Sequence, residues 1–471
     1  MENLQLLLPE ILLSVLALVI LLAELFVTEE TGEILYHAGI FACGLTLVVA
    51  GTLPQLAAFG FGTGTLWVSD PMSLFLKDLI LISAALTLMI SMDYSRLLRK
   101  HAGVYTALVL WAAVGMMTLV SSLDLLLLFL SLELVSLSTF VLSGFERGSE
   151  QASEGAIKYF LIGALASAIT VYGISLFYGA TGTTHLVRAA LTMSPLFMLS
   201  LLMISVGLAF KASLAPFHMW VPDAYQGAPT PITAYMSVAP KIATLAALVR
   251  VFTVLIPHAS VDLTPVFYVI AGLTMTIGNL AAIFQDDVKR LLAYSSIAQA
   301  GYIMIGFVVG DQLGQQGVML YSLVYLFMNF GAFTVAMVVA EHTGSYDLKA
   351  FSGLAQRNLG LSLMMAFFLL SLAGIPPMAG FIGKFYLFAS AIKGGYIWLA
   401  VIGVLNSVVS VYYYLRIAYQ MFFVEPRVRE PIPSKFYLTG SLALTTAAVF
   451  IIGLFPEPIL QTIQNSVKFL P

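Results

Sequence analysis

The chain has 471 residues, of which 60% are hydrophobic and 10% are charged, with a formal net charge of -3. Soluble globular proteins carry about 25% charged residues, so the composition excludes a soluble domain, and the small net charge excludes a strongly basic surface for nucleic acid. The single cysteine, Cys43, excludes a disulfide within the chain and an iron–sulfur or structural zinc site, which needs about four ligands.

Apolar runs along the chain predict an all-α integral membrane protein. A helix that spans the bilayer needs roughly 20 mainly apolar residues, and by this rule the sequence holds about 14 spans. The sequence begins MENLQLLLPE, which lacks the basic segment of a cleavable signal peptide, so we expect the first span to be retained. The predicted limits are 9–27, 36–55, 71–92, 104–121, 123–145, 156–178, 194–222, 231–256, 265–285, 291–309, 317–341, 360–393, 395–423 and 436–456.

The lysine and arginine residues are divided unequally between the two sets of predicted loops. Of the 21, eleven lie in loops after odd-numbered spans, three lie on the opposite side and seven lie within spans. The positive-inside rule therefore predicts odd loops in the cytoplasm and both termini on the outer, periplasmic side of the cell inner (plasma) membrane. The seven within spans are Lys77, Lys158, Lys211, Lys241, Arg250, Lys384 and Arg416.

Two segments of the chain resemble each other at an offset of 162 residues. EGAIKYFLIGALASAITVYGISLFYGATG (154–182) aligns with QGVMLYSLVYLFMNFGAFTVAMVVAEHTG (316–344), which pairs Tyr159 with Tyr321. The offset contains five predicted spans, an odd number, so we expect the two copies to be inverted in the membrane, as in secondary transporters. The predicted parts are 1–103 with spans 1–3, 104–256 with the first repeat (spans 4–8), 265–423 with the second repeat (spans 9–13) and 424–471 with span 14 and the tail.

One long predicted span in each copy is interrupted by proline, in KASLAPFHMWVP of span 7 and AGIPPMAGFIGK of span 12. Pro216 and the pair Pro376–Pro377 remove backbone donors and leave upstream carbonyls without a partner. Within lipid, such groups are tolerated only where protein or trapped water satisfies them. Each break therefore predicts a hydrated pocket within the membrane, and a simple packing kink is the alternative.

Several ionisable residues lie near the middle of predicted spans, where each lysine or glutamate costs about 2.5–3.5 kcal/mol. Glu133 is central in DLLLLFLSLELVSLSTFVLSGF, and Lys241 is central in span 8. Lys211 precedes the first break and Lys384 follows the second. Lys158 lies only a few residues into span 6, so its side chain could instead reach the interface. These five residues are the candidates for proton transfer.

The solvation of these groups suggests what they could do. A low dielectric disfavours the charged form of a lysine, and a nearby carboxylate favours it, so a buried lysine beside a movable carboxylate can release and regain a proton. With water between them, Glu133, Lys211, Lys241 and Lys384 could pass protons through half-channels that open to opposite faces. A purely structural role for each is the alternative.

The remaining charged residues within spans and one glycine-rich segment do not indicate a functional site. Arg250 and Arg416 occupy equivalent repeat positions near span ends and are expected to be interfacial anchors. Lys77 could pair with a neighbour or reach the interface. The glycine run GFGTG (60–64) follows no predicted strand and precedes no Rossmann helix, so it predicts a loop and not a nucleotide-binding site.

Three long motifs resemble the antiporter-like membrane subunits of respiratory complex I, the proton-pumping NADH:quinone oxidoreductase. They are KASLAPFHMWVPDAYQGAPTPITA, DDVKRLLAYSSIAQAGY and SLAGIPPMAGFIGKFYLF, and the similarity covers spans 3 to 13. Of the three types, N (chain 2) fits best. The M type has a glutamate in span 12 where this sequence has Lys384, and the L type is longer and carries a lateral helix.

The resemblance implies a role for each candidate. Glu133 would pair with Lys211, Lys241 would be the central lysine of span 8, Lys384 would lie on the output side, and Lys158 would be an additional lysine of span 6. Hydride and quinone chemistry would take place in other subunits, so this chain would hold no cofactor. The implied partners are the M-type subunit and the small quinone-proximal membrane subunits, and the implied transported species are protons and water.

Three other functions remain open from the sequence. An antiporter subunit of a multisubunit Na⁺/H⁺ exchanger or of a membrane-bound hydrogenase belongs to the same superfamily, and neighbouring genes would distinguish it. A stand-alone solute carrier would place Asn, Ser and acidic ligands at the breaks, where this sequence has lysines. A scaffold without transport is disfavoured by the free-energy cost of the buried charges.

Overall fold

The computed structural model describes residues 4–28, 31–53, 57–59, 66–94, 100–146, 148–188, 194–255, 263–426, 430–433 and 435–467. Within these ranges the chain is almost entirely helical, as the sequence predicts. A short antiparallel hairpin pairs β1 (Ala57–Phe59) with β2 (Trp67–Ser69), so the expectation of no strand before the glycine run was wrong. The glycine run itself, residues 60–64, lies outside the described residues.

The helices of the N-terminal part and the first repeat follow the predicted order. Spans 4 and 5 are separate helices, because Asp124 ends the connection between them and caps the second one: its Oδ1 accepts hydrogen bonds from Leu126 N (2.9 Å) and Leu127 N (3.0 Å). The bounds are α1 (Leu8–Ala23), α2 (Glu33–Gly51), α3 (Pro71–Ser91), α4 (Ala102–Ser121), α5 (Leu125–Ser143), α6 (Glu150–Thr181), α7 (Pro195–Lys211), α8 (Val221–Gly227) and α9 (Thr230–Leu255).

The second repeat and the C-terminal part continue the series. A single helical turn at Leu354–Arg357 precedes the broken span, and short 3-10 turns lie at Leu4–Leu7, Glu24–Phe26, Leu186–Arg188 and Leu348–Phe351. The bounds are α10 (Thr264–Ile283), α11 (Val288–Val309), α12 (Gln312–Thr343), α13 (Leu359–Ala373), α14 (Ala379–Lys393), α15 (Ile397–Phe423), α16 (Phe436–Leu454) and α17 (Glu457–Ser466).

Twelve helices in the described part of the chain are long and apolar enough to cross a membrane. Two shorter apolar helices, α7 with 17 residues and α13 with 15, are the first halves of the predicted broken spans 7 and 12. The predicted total of fourteen would need each half to cross together with the segment after it, so that total stays a prediction. The chain is a multi-pass membrane protein.

The helices of the two repeats match in length at the offset found in the sequence. Helices α4 and α10 both have 20 residues, and α6 and α12 both have 32, each pair beginning 162 positions apart. Both 32-residue helices end at a glycine with φ of 74°, Gly182 and Gly344, a left-handed conformation that costs glycine little. This match supports the repeat, while the inversion in the membrane and the division into four parts stay predictions.

Both predicted helix breaks are present. Helix α7 ends at Lys211, and residues 212–220 form an irregular segment before α8 begins, mostly buried but with Pro216 and Met219 exposed. Helix α13 ends at Ala373, and residues 374–378 separate it from α14, beginning with Gly374 at a φ of 85°. At the first break, Ala209 O and Phe210 O accept from Leu214 N (2.8 Å) and Ser213 N (3.0 Å). At the second break, the carbonyls of Leu372 and Ala373 lack a backbone donor among the described residues.

The buried centre of the molecule is formed by α9, α11 and α12, whose side chains are buried along most of their length. The outer helices, among them α1, α6, α10 and α15, expose rows of large apolar side chains, as expected for surfaces that contact lipid. Of the candidate residues, Lys211 and Lys384 lie on the broken spans, and Lys241 lies on α9 in the centre itself.

Candidate functional site

Lys211, the last residue of α7, is held by hydroxyl groups. Its side chain is 2% exposed. The ammonium Nζ donates to Ser136 Oγ (3.1 Å), Thr139 Oγ1 (3.1 Å) and Tyr159 Oη (2.8 Å). The ring of Tyr159 also lies 5.1 Å from Nζ and stacks on Trp220 at 4.0 Å, which fixes its position. Sequence reasoning missed these three hydroxyls, although two of them follow Glu133 at the three-residue spacing that defines one helix face.

Glu133 lies on the same face of α5 as the hydroxyls that bind Lys211. Its side chain is half-buried, and its Oε1 accepts a short hydrogen bond from Ser167 Oγ. Glu133 and Lys211 line one narrow cavity with about 10 Å³ of free space, close to the minimum that holds a water molecule. Among the described residues, no ion pair joins these two side chains. The Glu133–Lys211 pair that the resemblance implies is therefore seen only as two side chains that line the same cavity.

Lys241 lies one residue after Pro240, which is inside α9. Its side chain is 1% exposed, and Nζ donates to the backbone O of Ser296 (3.0 Å) and to its Oγ (2.8 Å). The ring of Tyr225 lies 5.5 Å from Nζ. A serine on the central helix α11 is therefore the main partner of this lysine.

Lys384 lies in the second turn of α14 and reaches back across the second break. Nζ donates to Leu372 O (3.0 Å), Ala373 O (3.2 Å) and Ser407 Oγ (2.7 Å), and the lysine is 3% exposed. The two carbonyls are at the C-terminus of α13, where the break leaves them without donors from the next turn. The lysine thus satisfies backbone groups that the interruption of the helix creates.

A chain of hydrogen bonds leads from Lys384 to α11, the helix that also binds Lys241. The Leu372 carbonyl that accepts from Lys384 also accepts from Gln299 Nε2 (3.3 Å). The same amide nitrogen donates to Tyr414 Oη (3.2 Å), which is 2.5 Å from Ser295 Oγ. Ser295 directly precedes the serine that binds Lys241. Sequence reasoning missed Gln299 and Tyr414, for which the only signal was a glutamine inside the DDVKRLLAYSSIAQAGY motif.

Lys158 belongs to a different environment from the other lysines. Its side chain is 42% exposed, and Nζ is paired with Glu154 (2.5 Å) and Asp223 (2.7 Å). Asp223, which follows predicted span 7, also pairs with Arg290 Nη1 (2.6 Å). Burial raises the pKa of the Asp223 carboxyl, but its bonds with Lys158 and Arg290 outweigh burial and hold the pKa below its usual range. The structure therefore places Lys158 in an ion cluster at the edge of the molecule.

Two other buried cations are paired with carboxylates. Arg250 forms a two-pronged ion pair with Asp70, Nη1–Oδ2 at 2.7 Å and Nη2–Oδ1 at 2.9 Å, and both side chains are at most 2% exposed. The expectation of Arg250 as an interfacial anchor was therefore wrong. Lys77 pairs with Glu10 at 2.9 Å in the N-terminal part. Arg416, by contrast, is 30% exposed and pairs with the exposed Asp286, as expected near an interface.

The buried cations that lie within the predicted spans thus divide into two kinds. Arg250 and Lys77 each contact a carboxylate. Lys211, Lys241 and Lys384 bind only hydroxyl and backbone oxygens among the described residues. A hydroxyl can accept a hydrogen bond from a charged lysine or donate one to a neutral lysine.

Residues 122–410 match the family model described as "NADH:quinone oxidoreductase/Mrp antiporter, TM". The chain belongs to this family. A curated relative from Trichlorobacter lovleyi, named NADH-quinone oxidoreductase subunit N, is 42% identical over 99% of this chain and 98% of its own length. The resemblance to the antiporter-like subunits is therefore confirmed.

Solved structures agree with the family. A chain of respiratory complex I from Thermus thermophilus with bound aureothin is 33% identical, with a TM-score of 0.82 over 97% of this chain and 100% of that chain. A chain of the Mrp complex from Dietzia sp. has a TM-score of 0.83 at 21% identity, over 97% of both chains, and shows a shared fold only. The predicted all-α membrane fold is confirmed.

Proposed function

We propose that the chain is a proton-translocating membrane-arm subunit of an NADH:quinone oxidoreductase and that it moves protons in response to quinone reduction in other subunits. Its relay would consist of Glu133, Lys211, Lys241 and Lys384 with intervening water. Identities of 42% and 33% to complex I relatives, against 21% to the Mrp chain, favour this function over cation exchange in an Mrp-type antiporter. The chain would act as part of the translocase without taking part in the redox chemistry.

The observation that supports the relay is the set of partners around the three buried lysines. A lysine beside a fixed carboxylate keeps its proton, since loss of the proton would leave the carboxylate charge buried and unpaired. Around Lys211 all three partners are hydroxyls, which can rotate to donate to a neutral amine. The same pocket can therefore hold both protonation states of Lys211.

Lys384 has a different set of partners from Lys211. Two of its three partners are backbone carbonyls, which only accept hydrogen bonds, and Ser407 is the only partner that could donate. Lys241 is intermediate, with one carbonyl and one hydroxyl, both from Ser296. The three lysines therefore differ in how many of their partners can donate to a neutral amine, and each has at least one.

Glu133 would control the first step. Its carboxylate lies across a cavity of about 10 Å³ from Lys211 and is half-buried, so it can respond to a change outside the chain. Movement of the carboxylate towards Lys211 would favour the charged lysine, and movement away would favour release of the proton. The carboxylate would therefore connect the relay to a neighbouring subunit.

Lys158 would bring protons towards the relay from its ion cluster, because it is next in sequence to Tyr159, which binds Lys211. The expected partners are the M-type antiporter-like subunit and the small quinone-proximal membrane subunits. We place the protein in the cell inner membrane with both termini on the outer side, as the loop charges predict.

Substitution of relay residues tests this function. Lys211→Met or Glu133→Gln should lower proton translocation by roughly tenfold or more, since positioned proton-transfer groups contribute about 10²–10⁴ to rates. The assay follows vesicle acidification and quinone reduction by the assembled complex, with assembly checked on native gels. The matched control is the double variant Glu10→Gln/Lys77→Met, which neutralises a buried ion pair outside the relay and should preserve translocation per assembled complex.

The two sets of variants must behave differently if the relay is correct. Full translocation by an assembled Lys211→Met complex would contradict it. An equal loss in the Glu10→Gln/Lys77→Met control would also contradict it, because the loss would then reflect any change of buried charge in the chain.

A further inference from the structure

A large cleft lies between α14 and α15, beside Lys384. Its volume is about 670 Å³, within the range of roughly 300–1,000 Å³ of small-molecule sites. Phe381, Phe385, Val404 and Val408 line its sides, and each of these side chains is at least 38% exposed. The cleft therefore opens outward from the helix bundle, on a surface that faces other molecules in the membrane.

The polar groups at the two ends of the cleft differ. Lys384 and Ser407 lie at its inner end and are bound to each other at 2.7 Å, and Lys384 has two further carbonyl partners. Lys393 lies at the other end, nine residues later and roughly 13.5 Å along the helix axis. Lys393 is exposed at the C-terminus of α14, and no carboxylate within the described ranges pairs with it.

We propose that this cleft binds an anionic phospholipid, with the phosphate at Lys393 and one acyl chain along the cleft over the Lys384–Ser407 pair. Apolar walls suit an acyl chain, and a lysine without a carboxylate partner among the described residues suits a headgroup phosphate whose charge no quaternary ammonium offsets. The inner polar groups are already satisfied by protein, so they do not require a polar ligand.

The contact between α14 and α15 prevents a protein helix from inserting between them. Helices α14 and α15 contact each other at Gly403, where an added Cβ would lie 2.5 Å from the ring of Phe388, and again at the Lys384–Ser407 bond. An α-helix with its side chains is about 10–12 Å across, too wide to enter between helices in contact. A single acyl chain is narrow enough.

The bound acyl chain would separate Lys384 from the surrounding membrane. The lysine is itself buried, but the cleft reaches it from the outside through exposed apolar side chains. A lipid in the cleft would fill this access and prevent water from reaching Lys384 along it. This proposal concerns binding, so it does not rest on the proposed proton transport.

Photolabelling of the assembled complex tests the site. The complex is reconstituted with phosphatidylglycerol or phosphatidylcholine that carries the same diazirine on one acyl chain, and labelled peptides are identified by mass spectrometry. We expect several-fold more labelling of residues 381–392 and 404–411 by phosphatidylglycerol than by phosphatidylcholine. Lys393→Gln should lower the phosphatidylglycerol labelling to the phosphatidylcholine level, and the control Lys349→Gln, at an exposed lysine elsewhere, should leave it unchanged.

A second variant tests the position of the acyl chain independently of charge. Val408→Trp fills the cleft and should abolish labelling by both lipids, with assembly checked on native gels. The proposal would be overturned if the two lipids labelled the cleft equally and Lys393→Gln left this labelling unchanged. That result would indicate ordinary surrounding lipid. Absence of cleft labelling in the wild-type complex, with a neighbouring subunit covering these helices, would also overturn it.

Discussion

The ion pair between Asp70 and Arg250 allows one stability prediction to be worked out from the structure. Asp70 caps α3, with its Oδ1 accepting from Ser73 N at 2.7 Å, and it binds Arg250 through both oxygens. Arg250 Nε also donates to Val120 O at 2.9 Å. The variant Asp70→Asn keeps an oxygen for the helix cap but turns an NH₂ group towards Arg250 Nη1. It therefore removes the charge and one bond while the local helix start is preserved.

The expected cost is set by burial. Hydrogen bonds to charged groups contribute about 1.5–3 kcal/mol each, and breaking a buried pair from one side costs roughly 3–5 kcal/mol. Both partners are at most 2% exposed, so solvent cannot replace the lost carboxylate. We expect Asp70→Asn to lower the free energy of unfolding by about 3–5 kcal/mol. The assay is unfolding of the full chain in mixed micelles titrated with SDS, followed by the fluorescence of its four tryptophans.

The double variant Asp70→Asn/Arg250→Met provides the control. It removes both charges, so we expect it to be more stable than Asp70→Asn alone by about 1 kcal/mol or more. A cost of less than about 1 kcal/mol for Asp70→Asn would refute the reasoning. So would a double variant whose cost equals the sum of the costs of Asp70→Asn and of Arg250→Met, each measured alone.

Two further predictions concern the second break and the ion cluster. Gly380→Ala would place a Cβ 1.8 Å from Ser371 O and should destabilise the fold by about 3 kcal/mol or more. In the matched change Gly360→Ala, the new Cβ would lie 3.6 Å from its nearest neighbour, so this variant should be neutral or stabilising. Thermal unfolding measures both effects. Because the folded-state pKa of Asp223 is lowered from about 4, its ion pairs stabilise the protein fully above pH 4 and are lost as the pH falls through the lower value. The difference in melting temperature between wild type and Asp223→Asn should therefore shrink below about pH 4, and a constant difference would contradict this.

The helices and their interruptions could be predicted because they depend on local chemistry. Apolar length determines which segments can cross a bilayer, and proline removes the donor that would continue a helix. Both breaks were found at the predicted positions, at 212–220 and 374–378. Helix ends were less accurate: α6 begins at Glu150 and not near residue 156, since Ser149 caps the helix outside the apolar run.

The partners of the buried charges could not be predicted, because they come from helices far apart in the sequence. Arg250 and Asp70 are 180 residues apart, and nothing local distinguishes Arg250 from an arginine at an interface. Lys77 and Lys211 are both lysines in apolar helices, yet one faces a carboxylate and the other faces three hydroxyls.

The sequence alone therefore determined that the chain spans a membrane, where two of its helices break and which ionisable residues lie in apolar segments. Tertiary packing alone decided which of those cations meet a carboxylate and which meet only hydroxyl and backbone oxygens among the described residues. The physical reason is that the free-energy cost of burying a charged side chain follows from the residue and its apolar segment. The interactions that offset this cost depend on which atoms of neighbouring helices contact the side chain.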